Sequence, residues 1–313
     1  MVGVGIMGTP IAERLLAAGH EVSAYDARAG AVEAVAGALP ATSSDQVALG
    51  SELVLTALPS TAAVRSVYEA LAPVARAGQV FADHSTVDPA TNRFCAELLE
   101  ARQAHFLDAP MSGGPEGAAQ ATLTLFVGGE EEPYRRALPV FRCYAGTVRL
   151  CGPAGSGTAL KLVNQLLVVI HNGAAAEAAV FASRLGVDLE VALEMISAAY
   201  GSSKIFTSNL PRVIARDFKP DRPIRILAKD MALVRAAADA VGAPIELAGL
   251  VEHLLHEAKE RGMGDEDMSA LVKLYEERGV TVIASSPEEA AAHLESEQKK
   301  WWRVIKERGI KAE

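Results

Sequence analysis

"VGVGIMGTPIAERLLAAGHEVSAYD", residues 2–26, decides how the rest of the chain is read. Gly3, Gly5 and Gly8 have the Gly-x-Gly-x-x-Gly spacing, an amphipathic stretch follows and stops at Gly19, and the next apolar run ends in Asp26. A glycine run alone is as readily an ordinary tight turn as a nucleotide site. These features in this order point to the start of a dinucleotide-binding βαβ unit. Gly3 permits the turn, Gly5 lets the backbone approach a pyrophosphate, and the helix opened at Gly8 offers unpaired amides and the positive end of its dipole. Ile6 and Met7 line the same turn. Asp26 stands where a carboxylate accepts both ribose hydroxyls of NAD and repels the extra phosphate of NADP, although Arg28 could turn toward that phosphate. NAD is the favoured cofactor. Met1 and Val2 alone precede Gly3 and read as the end of a strand whose start is absent.

Alternation continues from there. "LVLTALP", "QVFADHST", "HFLDAP" and "TLTLFVGG" read as strands, with helical stretches such as "AAVRSVYEALAPVA" between them. This is the pattern of an α/β, Rossmann-type doubly wound parallel sheet, assigned to residues 1–153 as the NAD-binding domain. The turn at Gly155, with Ser156 and Thr158 as capping candidates, then launches a long and mostly apolar helix expected to be buried nearly all round. Helical signals dominate from that helix onward, so residues 154–278 are expected to form an all-α substrate and dimerisation domain. Residues 279–313, with a short strand, an N-cap signal at Ser286 and adjacent Trp301 and Trp302, read as an appendage packing on a domain or a second subunit.

Composition narrows the function. A net charge of −9 without a basic run argues against nucleic acid as a partner. No apolar run long enough to span a bilayer escapes interruption by charge or glycine, so no membrane role is expected. Three scattered cysteines form neither a metal-ligating pattern nor a disulfide framework, which suits a cytoplasmic protein with no metal.

Six stretches taken together resemble the β-hydroxyacid dehydrogenase family, which includes 3-hydroxyisobutyrate, tartronate semialdehyde and threonate enzymes. They are the opening turn, "LTALPS", "FADHSTVDPAT", "FLDAPMSGGPEGAAQATLTLFVGG", "GSGTALKLVNQLL" and "LAKDMALV". The resemblance covers residue 1 to about residue 278. It implies an oxidoreductase that moves a hydride between a nicotinamide cofactor and a small anionic hydroxy acid. The pair Asn164-Gln165 looks like the tartronate semialdehyde branch, and "YGSSKIFTSNLPRVIARDFKP" resembles the threonate-type enzymes. The closing residues resemble the C-terminal end of tripartite tricarboxylate transport receptors, without a receptor body.

The resemblance makes Lys161 the catalytic residue, and the chemistry agrees: alcohol oxidation needs a base for the hydroxyl proton, and burial beside a nicotinamide cation disfavours a charged lysine. A lysine snorkelling from a buried helix is the plain alternative. Asn164 and Gln165, three and four residues on, share its helical face. By resemblance Ser112, Gly113 and Gly114 bind the substrate carboxylate, Leu58, Pro59 and Thr86 contact the cofactor, and Lys229 reaches back to the cofactor cleft. Taken singly, each also reads as a turn residue or, for Lys229, as a surface lysine paired with Asp230. A homodimer is expected from the small-residue run "GAAAEAAVFASRLG", which could equally be buried within one subunit. The competing reading is a catalytically silent NAD-binding sensor or interaction protein; imine reduction on a related fold is a third.

Overall fold

The computed structural model describes residues 1–278. The chain divides into two compact units, Met1–Leu274 and Tyr275–Glu313. The expectations for the strand near Gly279, for Ser286 and for Trp301 and Trp302 lie outside the described residues.

Short apolar runs become strands β1 (Ser23–Ala24), β2 (Leu39–Pro40), β3 (Leu53–Thr56), β4 (Val80–Asp83), β5 (His105–Asp108), β6 (Met111–Ser112), β7 (Leu123–Gly128) and β8 (Ala145–Gly152). Helices α1 (Gly8–Ala17), α2 (Ser44–Gly50), α3 (Thr61–Leu71), α4 (Pro89–Glu100), α5 (Gly114–Ala119) and α6 (Glu131–Phe141) alternate with them. Several starts are dictated locally. Asp88 accepts a hydrogen bond from Thr91 N at 2.8 Å with Pro89 in the first turn, and Ser43 and Ser60 cap α2 and α3 in the same way.

The place of a first strand is held by Met1–Gly3. Val2 bridges Tyr25 on one side and Thr56 on the other, both parallel. Its N–H donates to Leu55 O at 2.8 Å and its carbonyl accepts from Ala57 N at 3.0 Å, while Gly3 N reaches Tyr25 O at 2.8 Å. These three residues therefore join β1 and β2 to the sheet running β3-β4-β5-β7-β6, with β8 beside β7. Val2 and β1 to β5 pair in parallel, whereas β7 is antiparallel to β5 and β6 and parallel to β8, so the sheet ends in an antiparallel extension that the alternation did not reveal.

Both faces are covered, as a parallel sheet requires. Side chains alternate between two cores with the strand period: Leu55, Val80, Ala82 and Leu107 pack with Ile11, Leu15 and Phe141 on one face, and Val54, Phe81 and Phe106 with Tyr68, Leu71 and Leu99 on the other.

Among the described residues, those after Gly152 form mainly helices, among them α7 (Ser156–Arg184), α8 (Leu189–Ser197), α9 (Lys204–Ala215), α10 (Ile224–Val241) and α11 (Glu246–Glu260). Among the described residues α7 is the one helix long and apolar enough to cross a membrane, by length and composition. It packs against α9, α10, α11 and β7. One expectation for it is corrected. It is not buried all round: Leu160, Val163, Leu167 and Phe181 are exposed at heptad spacing along one side. Within the small-residue run Ala175, Ala176 and Ala179 are buried while Ala174 and Phe181 are exposed, and Gly173 is so close to α11 that a Cβ there would stand 2.5 Å from Val251 Cγ2.

Candidate active site

The glycine turn is a cradle with no room for a side chain at Gly3 or Gly8. Gly3 has φ +89°, and a Cβ on it would lie 2.3 Å from Ala57 O; one on Gly8 would lie 1.9 Å from Gly3 O. Only glycine tolerates both the left-handed backbone and that approach. Ile6 is exposed and Met7 half-buried at the rim. A cleft of about 610 Å³ is lined by Gly5, Ile6 and Thr9 of this turn, by Arg28, and by Pro115 and Glu116 at the start of α5. The cradle and the cleft fit a dinucleotide pyrophosphate held on backbone amides.

Asp26 closes the same turn. Its Oδ2 accepts from Val4 N at 3.0 Å, and Arg28 grips both oxygens, Nε to Oδ1 at 3.0 Å and Nη2 to Oδ2 at 3.1 Å. Arg28's hydrogen bonds, ahead of the opposing effect of burial, hold the Asp26 carboxyl below its usual value. Arg28 thus faces Asp26 in the structure.

The other candidate cofactor contacts lie at the C-terminal edge of the parallel strands, where open α/β sheets bind ligands. Leu58 and Pro59 follow β3, and Thr86 follows β4. The loops carrying them are tied from beneath by Asp83, a residue not singled out from sequence. It is fully buried and accepts from Thr56 Oγ1 and Ser85 Oγ, each at 2.6 Å, while Ser85 Oγ accepts from Leu58 N at 2.8 Å. Burial drives its carboxyl up to about 6. His84 next to it is a buried structural side chain bonded to Ala109 O and Tyr144 Oη, and burial lowers it to about 4.

Asp108 at the end of β5 was also missed, and it locates α7. Its Oδ1 accepts from Gly155 N at 2.6 Å and its Oδ2 from Thr158 N at 2.7 Å, so a sheet carboxylate caps the helix in place of Ser156 or Thr158. Gly155, in left-handed geometry, makes no side-chain cap. Asp108→Ala is expected to lower stability by ~2–3 kcal/mol through two lost charge-assisted bonds. A fall in the midpoint of thermal or urea unfolding measures it.

One and a half turns into α7 stands Lys161, 6% exposed, with Gln165 equally buried and Asn164 half-buried on the same side. Burial lowers the Lys161 ammonium from 10.5 to about 8; Asp230 opposes this and Lys229 adds to it. Asn164 Nδ2 donates to Gln165 Oε1 at 3.0 Å, and Gln165 Nε2 donates to Asp230 Oδ2 at 2.5 Å. Lys229 does two things at once: Nζ pairs with Asp230 Oδ1 at 3.2 Å and donates to Thr86 O at 3.3 Å. Lys229 thus pairs with Asp230 and at the same time touches the loop after β4 that carries Thr86. Ser112 pairs with Thr124 at the sheet edge, and Gly113 and Gly114 continue with φ +133° and +66°. Among the described residues no cluster of His, Cys, Asp and Glu suits a metal ion.

Residues 1–152 match the family model described as the NAD-binding domain of 6-phosphogluconate dehydrogenase. Residues 155–275 match that described as the NAD-binding domain of NADP-dependent 3-hydroxyisobutyrate dehydrogenase. The mitochondrial 3-hydroxyisobutyrate dehydrogenase of Drosophila melanogaster is 32% identical over 292 residues, covering 90% of each chain. The chain belongs to the β-hydroxyacid dehydrogenase family. Its relatives include the L-threonate dehydrogenase of Cupriavidus necator, 32% identical across 88% of this chain and 95% of that one. The solved Mycobacterium tuberculosis 3-hydroxyisobutyrate dehydrogenase with L-serine superposes with a TM-score of 0.81 at 32% identity, covering 88% of this chain and 97% of that one. The protein is accordingly a nicotinamide-dependent oxidoreductase of hydroxy acids with a Rossmann-type domain and a helical domain.

In this dehydrogenase the residues missed from sequence, Asp83, Asp108 and Asp230, are all buried carboxylates. Periodicity reports which face is apolar and is silent about a buried acid whose partners lie on other elements. Asp230 alone left a trace, as the neighbour of Lys229.

Proposed function

We propose that the dehydrogenase oxidises a short β-hydroxy or polyhydroxy carboxylic acid, or reduces the matching semialdehyde, with Lys161 as acid and base and NAD as the preferred cofactor. The carrying observation is a buried lysine drawn down to about 8, on one helical face with two amides. The cofactor supplies the hydride acceptor in oxidation and the donor in reduction. Neutral Lys161 Nζ takes the hydroxyl proton during oxidation and returns it to the carbonyl oxygen in reduction. Asn164 and Gln165 orient the hydroxyl-bearing carbon, and Ser112 with the turn at Gly113 and Gly114 receives the carboxylate. Gly3, Gly5, Ile6, Met7 and Gly8 hold the pyrophosphate half of the cofactor; Leu58, Pro59, Thr86 and Lys229 meet the nicotinamide half.

NAD preference rests on Asp26, whose carboxylate is oriented by Val4 N and whose guanidinium partner is already committed to it. Asp26→Ala is expected to weaken NAD binding by ~10–100-fold, the worth of hydrogen bonds to a charged group. Titration with NAD and NADP in parallel tests it; a tighter NADP complex of the unaltered protein overturns the preference. Turnover on a panel of short hydroxy acids, followed by NADH absorbance, tests the substrate class.

The homodimer is supported by the exposed stripe of Leu160, Val163, Leu167 and Phe181 on α7, an apolar face suited to a second copy of the same helix. Light scattering at micromolar concentration is expected to give twice the chain mass, and Leu167→Glu with Val163→Glu to give the chain mass. A cytoplasmic setting is supported by the three free cysteines.

A further inference from the structure

Asp230 holds the helical side of the site together without any assigned role. It lies on α10 against α7, buried to 5% exposure. One carboxylate oxygen accepts Gln165 Nε2 at 2.5 Å, while the other lies 3.2 Å from Lys229 Nζ and accepts no aligned hydrogen bond. Through Gln165 it reaches Asn164, and through Lys229 it reaches Thr86 O on the loop after β4. No hydrogen bond or salt bridge engages Lys161 Nζ among the described residues, so its charge balance comes from groups acting at longer range. Those that act on it are two, and both are on α10: Asp230 favours its ammonium and Lys229 disfavours it.

We propose that Asp230 is the positioning residue of the site: its carboxylate fixes the Gln165 amide and Lys229 and supplies the negative charge that keeps Lys161 able to hold a proton. This rests on the reading of Lys161 as acid and base. Without that charge Lys229 is left as the charged group acting on the buried Lys161, and it disfavours the ammonium there. With it, Lys161 is poised to exchange a proton near neutral pH, and Gln165 is held with its Nε2 committed to Asp230 and its Oε1 to Asn164.

The test is direct titration of Lys161 in the cofactor-free full chain carrying ε-13C-lysine, its NMR resonance assigned by its loss in Lys161→Arg. Asp230→Asn retains an acceptor for Gln165 but removes the charge, and is expected to move the Lys161 midpoint down by at least ~1 pH unit. Lys229→Met removes the like charge and is expected to move it up. Opposite signs separate an electrostatic role from general loosening, which would drive both variants the same way. Asp230→Glu is expected to restore most of the midpoint. The pH at which kcat/KM for oxidation reaches half its plateau is expected to follow each shift. An unchanged Lys161 midpoint in Asp230→Asn, or the same direction of shift in both variants, overturns the proposal. If Asp230→Asn does not fold, a Lys161 midpoint unmoved in Lys229→Met does so. Lys161→Ala turning over normally while these midpoints move as stated would instead overturn the reading of the lysine and leave the coupling standing.

Discussion

Lys161→Ala is expected to lower kcat by ~10²–10⁴-fold, the ordinary worth of a positioned acid or base, while the dissociation constant for the cofactor stays close to that of the unaltered protein. The split follows from geometry. The pyrophosphate cradle is built at Gly3 to Gly8 and Asp26, whereas Lys161 lies inside α7 and bonds to none of those residues. The pH dependence has a defined sign. Oxidation needs the neutral amine, so kcat/KM for the alcohol should rise with pH and level off above about 8, where burial has brought the lysine from 10.5. Reduction needs the ammonium, so kcat/KM for the carbonyl compound should fall through the same region. Near-normal kcat in Lys161→Ala removes the lysine from the mechanism, and a profile flat between pH 6 and 9 removes its proton transfer.

The second large effect is expected at Gly8. A Cβ there would stand 1.9 Å from Gly3 O and 2.9 Å from Gly3 C, both backbone atoms with nowhere to move, because Gly3 N is tied to Tyr25 O. Gly8→Ala should therefore displace the turn at a cost of ~2–3 kcal/mol, appearing as ~30–150-fold weaker cofactor binding together with a lower unfolding midpoint. Gly5→Ala is the informative contrast. Its Cβ would meet only Arg28 Nη2, at 3.5 Å, so folding should be undisturbed and any loss confined to cofactor binding. Isothermal titration and thermal unfolding of the two variants distinguish them, and native affinity in Gly8→Ala overturns the cradle.

Much of this protein was legible residue by residue. The turn at Gly3 to Gly8, the first-domain alternation and the helical character after Gly155 all appear where the patterns indicate, because each is a local property of backbone freedom or of side-chain period. Lys161, Gln165 and Asn164 share a face because helix spacing requires it. Other features were not legible. β8 carries only a mixed burial pattern, β6 has two residues, and their places depend on pairing with β7. The helix cap expected from Ser156 or Thr158 comes instead from Asp108, 47 residues before Gly155.

Sequence by itself determined the fold class through the alternation of strand and helix periods and the cradle through the spacing of its glycines, and it offered Lys161 as acid and base through a family resemblance. Tertiary structure alone decided that Arg28 grips Asp26, that Asp108 seats α7 on the sheet, that α7 buries Ala175, Ala176 and Ala179 while Leu160, Val163, Leu167 and Phe181 stay exposed, and that Asp230 joins Lys229 to the Gln165 amide. The physical reason is common to all four. A buried charge or an apolar face is stable only against its complement, and here that complement lies on another turn or another element, where no spacing rule reaches.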